Sequence, residues 1–162
     1  MTKPTLVVFF SRTGYTRRIA DELATALGAD VENLREPATR SGIFGYFRSA
    51  REALRGTAVE LLPATFDPRD YDLIVLGTPV WASHVCSPLR AYIAAHKDVL
   101  GRVAFFCTQG GSGADKVFGE MGQLCGRPPV ATLAVNDRNI GRGEYGANLR
   151  QFAAALGVRK AA

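Results

Sequence analysis

The sequence predicts an α/β fold, a doubly wound five-stranded parallel sheet in strand order 2-1-3-4-5 with helices on both faces. Three observations carry the prediction. Short apolar runs recur at Thr5–Phe10, Asp72–Gly77, Arg102–Cys107 and Val130–Val135, as expected of strands buried on both sides. Helical patterns separate them, with Ile19, Leu23 and Leu27 on one face, then Val117, Met121 and Leu124, then Leu149, Phe152, Ala153 and Leu156. Strands that alternate with helices at this spacing form a parallel sheet covered on both faces. The third observation is positional: the residues of distinctive chemistry fall just after the carboxyl ends of three of these strands.

In order, the first strand Thr5–Phe10 leads through Ser11-Arg12-Thr13-Gly14-Tyr15-Thr16 into a helix Thr16–Leu27, which Gly28 ends. A short second strand is expected at Asp30–Leu34 and a loop at Glu36–Gly42. Ile43–Leu54 reads as a helix with Ile43, Phe47, Ala50 and Leu54 on one face and Arg48, Arg51 and Arg55 on another. That arginine stripe is either a solvated face or a landing surface for an anionic group. Asp67–Tyr71 is a turn before the third strand, and Thr78–Ser87 a loop after it. Ser87-Pro88 supplies a cap and first-turn proline for a helix at Leu89–Ala95. The fourth strand runs into a glycine-rich loop, Thr108–Gly113, then a helix at Lys116–Leu124. Asn136–Gly146 reads as a polar loop before the last helix. With no internal repeat or linker, residues 1–162 are expected to form one domain.

Sixteen of the twenty basic residues are arginine, and they outweigh fifteen acids to give a net charge of +5. Such a balance attracts phosphorylated ligands, acidic partners or nucleic acid. No nucleic-acid module or long basic run is present, so no specific nucleic-acid binding is expected. No apolar run reaches the ~20 residues of a membrane span, and neither a signal peptide nor an anchor is expected. Cys86, Cys107 and Cys125 are odd in number and widely spaced, with only two histidines in the chain. They point away from disulfides and zinc and towards a reducing cytoplasm.

The segment after the first strand has the chemistry of an anion cradle. The first N–H groups of a helix lack partners within it and lie at the positive end of its dipole. Ser11, Thr13 and Thr16 add hydroxyl donors, and Gly14 lets a ligand approach the backbone. A nucleoside-triphosphate loop would need Gly-Lys-Ser/Thr, but no lysine occurs between Lys3 and Lys97. The dinucleotide fingerprint is also missing here. It is matched at Gly141-Arg142-Gly143-Glu144-Tyr145-Gly146, where too little chain remains for the rest of that site, so this segment reads as a turn. A small uncharged cradle suits one terminal phosphate, such as that of FMN, although a plain strand–turn–helix uses similar residues.

In a sheet of this order, ligands sit where the winding reverses between the first and third strands. Ser11–Thr16, Thr78–Ser87 and Thr108–Gly113 are therefore expected to converge. The second loop, Thr78-Pro79-Val80-Trp81-Ala82-Ser83-His84, holds the sole tryptophan, a candidate platform for a flat ligand. The third, Gln109-Gly110-Gly111-Ser112-Gly113, offers backbone N–H groups without bulk.

With these loops, the chain resembles the flavodoxin-like FMN-binding family over nearly its whole length, on the short-chain plan. The pattern Ser/Thr-x-Thr-Gly-x-Thr is met at Ser11–Thr16, "GTPVW" follows the third strand and "GGSG" follows the fourth. The resemblance implies that Ser11, Arg12, Thr13, Gly14, Tyr15 and Thr16 hold the FMN phosphate. It implies that Thr78, Pro79, Val80 and Trp81 line the flavin, and that Gln109, Gly110, Gly111 and Gly113 meet its pyrimidine edge. His84 is a candidate proton donor to a substrate above the flavin. The chain departs from acidic electron-carrier flavodoxins in its basic charge and in the absence of an aromatic from the third loop.

Three functions are open at this level. One is an FMN-dependent oxidoreductase that takes hydride from NAD(P)H, or electrons from a redox protein, and passes them to a quinone-like or other small acceptor. The second is a one-electron flavodoxin carrier; the third is a binding module of this fold without redox turnover. The loop 78–84 has no glycine after Gly77, and a residue bearing Cβ at φ > 0 costs roughly 1–2 kcal/mol. A turn that needs φ > 0 is thus disfavoured, and the sequence leans towards two-electron cycling.

Overall fold

The computed structural model describes residues 4–37 and 59–157. The predicted helix 43–54 and its arginines lie outside the described residues. The elements are β1 (Thr5–Phe9), α1 (Tyr15–Leu27), β2 (Asp30–Asn33), β3 (Leu73–Trp81), β4 (His84–Val85) and α2 (Ser87–His96). They continue with β5 (Arg102–Gln109), α3 (Ala114–Cys125), β6 (Thr132–Asn136), α4 (Asp137–Arg142) and α5 (Gly146–Ala155). Five strands pair in parallel in the order β2-β1-β3-β5-β6, the order the sequence predicts, and β4 folds back antiparallel on the end of β3.

Alternation along the central strands sends side chains to two cores. Leu6, Val8, Ile74, Leu76, Val103 and Phe105 meet Leu89 and Ile93 of α2 and Val117 and Met121 of α3 on one face. Val7, Phe9, Leu73, Val75 and Phe106 meet Ile19 and Leu23 of α1 and Leu149 and Phe152 of α5 on the other. Both faces of β1 are therefore dry, and each large aliphatic group so buried contributes about 1.5–3 kcal/mol. This explains why these strands read as unbroken apolar runs.

Three boundaries differ from expectation. β3 continues through Pro79-Val80-Trp81, so the segment predicted as a loop is mostly a hairpin, paired Val80 with Val85 and Trp81 with His84. Cys86 rather than Ser87 is the cap of α2. Its N–H is taken by the Thr78 hydroxyl at 3.1 Å, which keeps Cys86 in the extended region, and Ser87 enters the helix with its hydroxyl buried and unpartnered. The polar stretch after β6 contains the short helix α4; Gly143, at φ 70°, turns the chain from it towards α5. Of the Gly141–Gly146 segment read as a turn, only residues 143–145 turn; Gly141 and Arg142 close α4 and Gly146 opens α5.

One row of residues ties the register of the three central strands where β1 ends, with β3 and β5 continuing beyond it. Phe9, Gly77 and Phe106 are register partners across β1, β3 and β5. Gly77 has no side chain because the ring of Phe106 occupies that space: a Cβ there would overlap it. Gly77→Ala should therefore destabilise the protein by about 1–3 kcal/mol through overpacking. Adding Phe106→Leu should recover part of that loss, as urea denaturation of the two variants would report.

Candidate functional site

Beyond this row the three predicted segments converge on a cleft of about 300 Å³, lined by Arg12, Thr13, Tyr15, Thr16, Pro79, Val80, Trp81, Ala82, Thr108, Gln109, Gly110 and Asp137. Its volume lies at the lower end of the range for small-molecule sites.

The first wall is the amino end of α1. Gly14 takes the cap position at φ 103°, and no side chain caps the helix, so its first N–H groups face the turn unshielded by protein oxygen. A Cβ on Gly14 would meet nothing, so its glycine is required by backbone angle and not by space. The Ser11 hydroxyl accepts from the Gly14 N–H at 3.1 Å and so shapes the turn. The Thr16 hydroxyl is buried and bonds the Thr108 hydroxyl at 2.7 Å, which ties the first loop to the end of β5.

The second wall is the hairpin. Trp81 is only 6 % exposed, and Phe10 meets its ring edge-on, with centroids 5.5 Å apart at 86°. The two-residue tip has Ala82 at φ 50° and Ser83 at φ 63°, the signature of a type I′ turn made without glycine. The expectation that this segment avoids φ > 0 is thereby overturned. The right-handed twist of the strands selects the primed turn and overrides the local penalty of each residue. The lean towards two-electron cycling loses that support.

The third wall is the end of β5 with the glycine-rich loop after it. The Gln109 amide donates to Asn136 at 3.0 Å and accepts from the Ala114 N–H at 3.1 Å, so this side chain is spent on fixing its own loop. Gly110 and Gly111 stand in open space. Gly113 caps α3 at φ 110°, where a Cβ would press on Val80 at 3.1 Å and Ser83 at 3.4 Å; it seats the hairpin against the third loop.

Of the residues singled out in the sequence, Arg12, Thr13, Tyr15, Thr16, Pro79, Val80, Trp81, Gln109 and Gly110 line the cleft. Ser11, Gly14, Thr78, Gly111 and Gly113 are not part of its lining. Thr78 is fully buried, donating to its neighbour Pro79 O at 2.7 Å while accepting from Cys86. His84 does not line the cleft; it sits across the hairpin from Trp81. Its Nδ1 is 2.8 Å from Glu120, whose carboxylate also accepts from the Val85 N–H at 3.2 Å and from Arg90. A carboxylate only accepts, so Nδ1 carries the hydrogen and the imidazole fastens β4 to α3.

Ala82, Thr108 and Asp137 line the cleft without having been singled out. Asp137 comes directly after the last parallel strand, and the positional rule that located the other loops applies equally to it. Burial raises its carboxyl above the usual range, while Arg12 draws it back down. Burial also pushes Cys107 up to about 12 and Cys125 to about 11, so neither thiol is a nucleophile near neutral pH. No group of His, Cys, Asp and Glu among the described residues forms a metal site.

Two substitutions test these contacts. Glu120→Gln removes the charge facing Arg90 and should cost about 1–3 kcal/mol in urea denaturation. For Asp137, the folded pKa exceeds the unfolded one, so its ionised form opposes folding above that pKa and is absent below the unfolded pKa. Asp137→Asn should therefore raise the melting temperature at pH 7, with the gain vanishing as pH falls below the carboxyl range.

A family profile described as flavodoxin matches residues 4–131. No curated protein matches significantly. Among solved structures, a flavoprotein from Lactobacillus acidophilus NCFM in complex with FMN superposes with TM-score 0.73 at 21 % identity, covering 87 % of this chain and 98 % of that one. A protein of Bacteroides eggerthii described as a candidate flavoprotein gives 0.77 at 19 %, covering 96 % and 99 %. The apo form of an NADH:FMN oxidoreductase gives 0.60 at 12 %, covering 98 % and 91 %. At these identities the structural likeness is one of fold. The profile, spanning most of the chain and all three loops of the cleft, carries the assignment: the chain belongs to the flavodoxin family.

Proposed function

We propose that the protein is an FMN flavoprotein that uses NAD(P)H to reduce a quinone-like or other small acceptor by two electrons. The overall conversion is NAD(P)H, a proton and a quinone to NAD(P)⁺ and a hydroquinone. The observation that carries the cofactor is the uncapped amino end of α1 opening beside a cleft walled by a flat aromatic. Donors without an internal acceptor fit a phosphate, and a slot next to them with an apolar hairpin side and a polar opposite side fits a flat ring with a polar edge. In this reading Ser11 and Gly14 shape the cradle, and Arg12, Thr13, Tyr15 and Thr16 face the phosphate. Pro79, Val80, Trp81 and Ala82 shield the ring from water, and Gly110 offers backbone to its polar edge. Thr78 and Gly113 support those walls, the first through Cys86 and the second against Val80 and Ser83, and Gly111 keeps the third loop free of bulk.

Bound FMN supplies hydride and single-electron chemistry. The chain's part is to hold the cofactor, exclude water on the hairpin side and leave the open side to a donor. The oxidoreductase reading rests on the basic net charge, which suits anionic donors better than the basic partners of acidic carriers. One observation favours the carrier: the Ala82–Ser83 turn already holds φ > 0, so the hairpin lacks the backbone penalty expected against single-electron use. The buried cysteines Cys86, Cys107 and Cys125, none of them in a disulfide, suit a cytoplasmic setting, and no helix among the described residues is long and apolar enough to cross a membrane.

FMN should quench on titration with the apoprotein, and Thr13→Ala should weaken binding by about 1–3 kcal/mol, the worth of a hydrogen bond to a charged group. Failure of FMN to bind, or recovery of FAD from the purified protein, rejects the cofactor. Anaerobic reduction by NADH or NADPH with stoichiometric turnover of a quinone supports the enzyme. Inertness to both nucleotides, with reduction resolved into two separate one-electron waves, supports the carrier.

A further inference from the structure

Beside the cleft lies an arginine-bearing face of α4 that the cofactor reading does not use, and it meets the cleft at Tyr15. Arg138, Gly141 and Arg142 stand at i, i+3 and i+4 on α4 and so share one face of that helix. Gly141 leaves a gap between the two arginines, and the Tyr15 hydroxyl lies 3.9 Å from where its Cβ would be. Tyr15, 38 % exposed, therefore extends from the cleft it lines to the centre of this face. On the α1 side, Arg18 donates to the Ile140 carbonyl at 3.1 Å and keeps its side chain half exposed. Arg138 and Arg142 are exposed, with no ion-pair or hydrogen-bond partner among the described residues. The acids nearby are largely occupied: Glu22 accepts from the Tyr145 hydroxyl and lies 3.8 Å from Arg18, Asp21 lies 3.8 Å from Arg17, and Asp137 faces Arg12. Glu144 is exposed beyond Arg142. The α4 helix also lies past residue 131, outside the part of the chain that the family profile matches.

We infer that Tyr15, Arg138 and Arg142 dock the phosphate-bearing adenosine end of the pyridine dinucleotide, and that they make the chain prefer NADPH to NADH. The inference rests on the oxidoreductase reading and names its donor. An exposed ring offers adenine a flat face. Guanidinium forks at one helix spacing match the oxygens of a phosphomonoester better than those of a lone hydroxyl, and the 2′-phosphate is the group by which the two nucleotides differ. Because Tyr15 belongs to both surfaces, a nucleotide seated here has its other end directed along the cleft. A solvated arginine face would bind neither nucleotide with preference.

The test uses the two fragments that differ in that phosphate. Adenosine 2′,5′-bisphosphate and 5′-AMP are titrated by calorimetry into the full-length chain, alone and loaded with FMN. The bisphosphate should bind at least tenfold more tightly, with the margin shrinking as salt rises. The double variant Arg138→Gln/Arg142→Gln should lose the margin and keep wild-type FMN affinity and melting temperature. Equal binding of the two fragments overturns the inference, as does a margin that survives the double variant. Binding of polyglutamate in place of either fragment also overturns it and marks a protein-docking surface. FMN titration of the same samples separates the two readings: loss of FMN binding with the fragment margin intact rejects the flavoprotein and leaves the nucleotide site standing.

Discussion

The site depends on the packing of Phe106 into the space left by Gly77. Three parallel strands hold the loops beyond them in a fixed relation only if their registers are fixed, and the Phe9–Gly77–Phe106 row helps to fix them from inside the core. A side chain on the middle strand would push β5 away or force Phe106 from its rotamer. Either shift would move the third loop relative to the first by a fraction of an ångström, enough to break a hydroxyl contact such as Thr16–Thr108 at 2.7 Å. The polar geometry of the cleft is thus maintained by an apolar contact beneath it.

Above this row, the walls brace one another. The Thr16–Thr108 bond joins the first to the third, and Gly113 lets the hairpin lie against the third loop. Glu120 holds the far strand of the hairpin through His84 and the Val85 N–H, and Arg90 of α2 supports Glu120 in turn. His84 thus braces the hairpin from outside the cleft lining. Charge is graded around the cleft: donors at the amino end of α1, Arg12 opposed by Asp137 within, and the exposed arginines outside on α4.

Much of this is legible in the sequence because the signals are local. Apolar runs mark strands buried on both faces, and Gly28 marks the end of α1, where φ is 63°. The loop Ser11–Thr16 declares its chemistry by residue type. What stays hidden arises from pairing at a distance. Nothing in Pro79-Val80-Trp81 announces a strand, since proline discourages one, yet pairing with Val85 and His84 makes it so. The left-handed pair Ala82–Ser83 results from that pairing and contradicts its own composition. Asp137 escapes notice because a polar stretch containing glycines reads as loop, whereas six of its residues form α4.

The hairpin gives the aromatic wall a different thermodynamic character from a loop. Trp81 stands on a strand whose backbone groups are paired and whose ring is clamped by Phe10, so its freedom is surrendered during folding. A ligand that arrives later finds the wall already ordered and owes little for immobilising it. Association should consequently proceed with little structural adjustment, limited by encounter and by release of water from the slot. Release, the reverse of the same step, should likewise leave the hairpin in place.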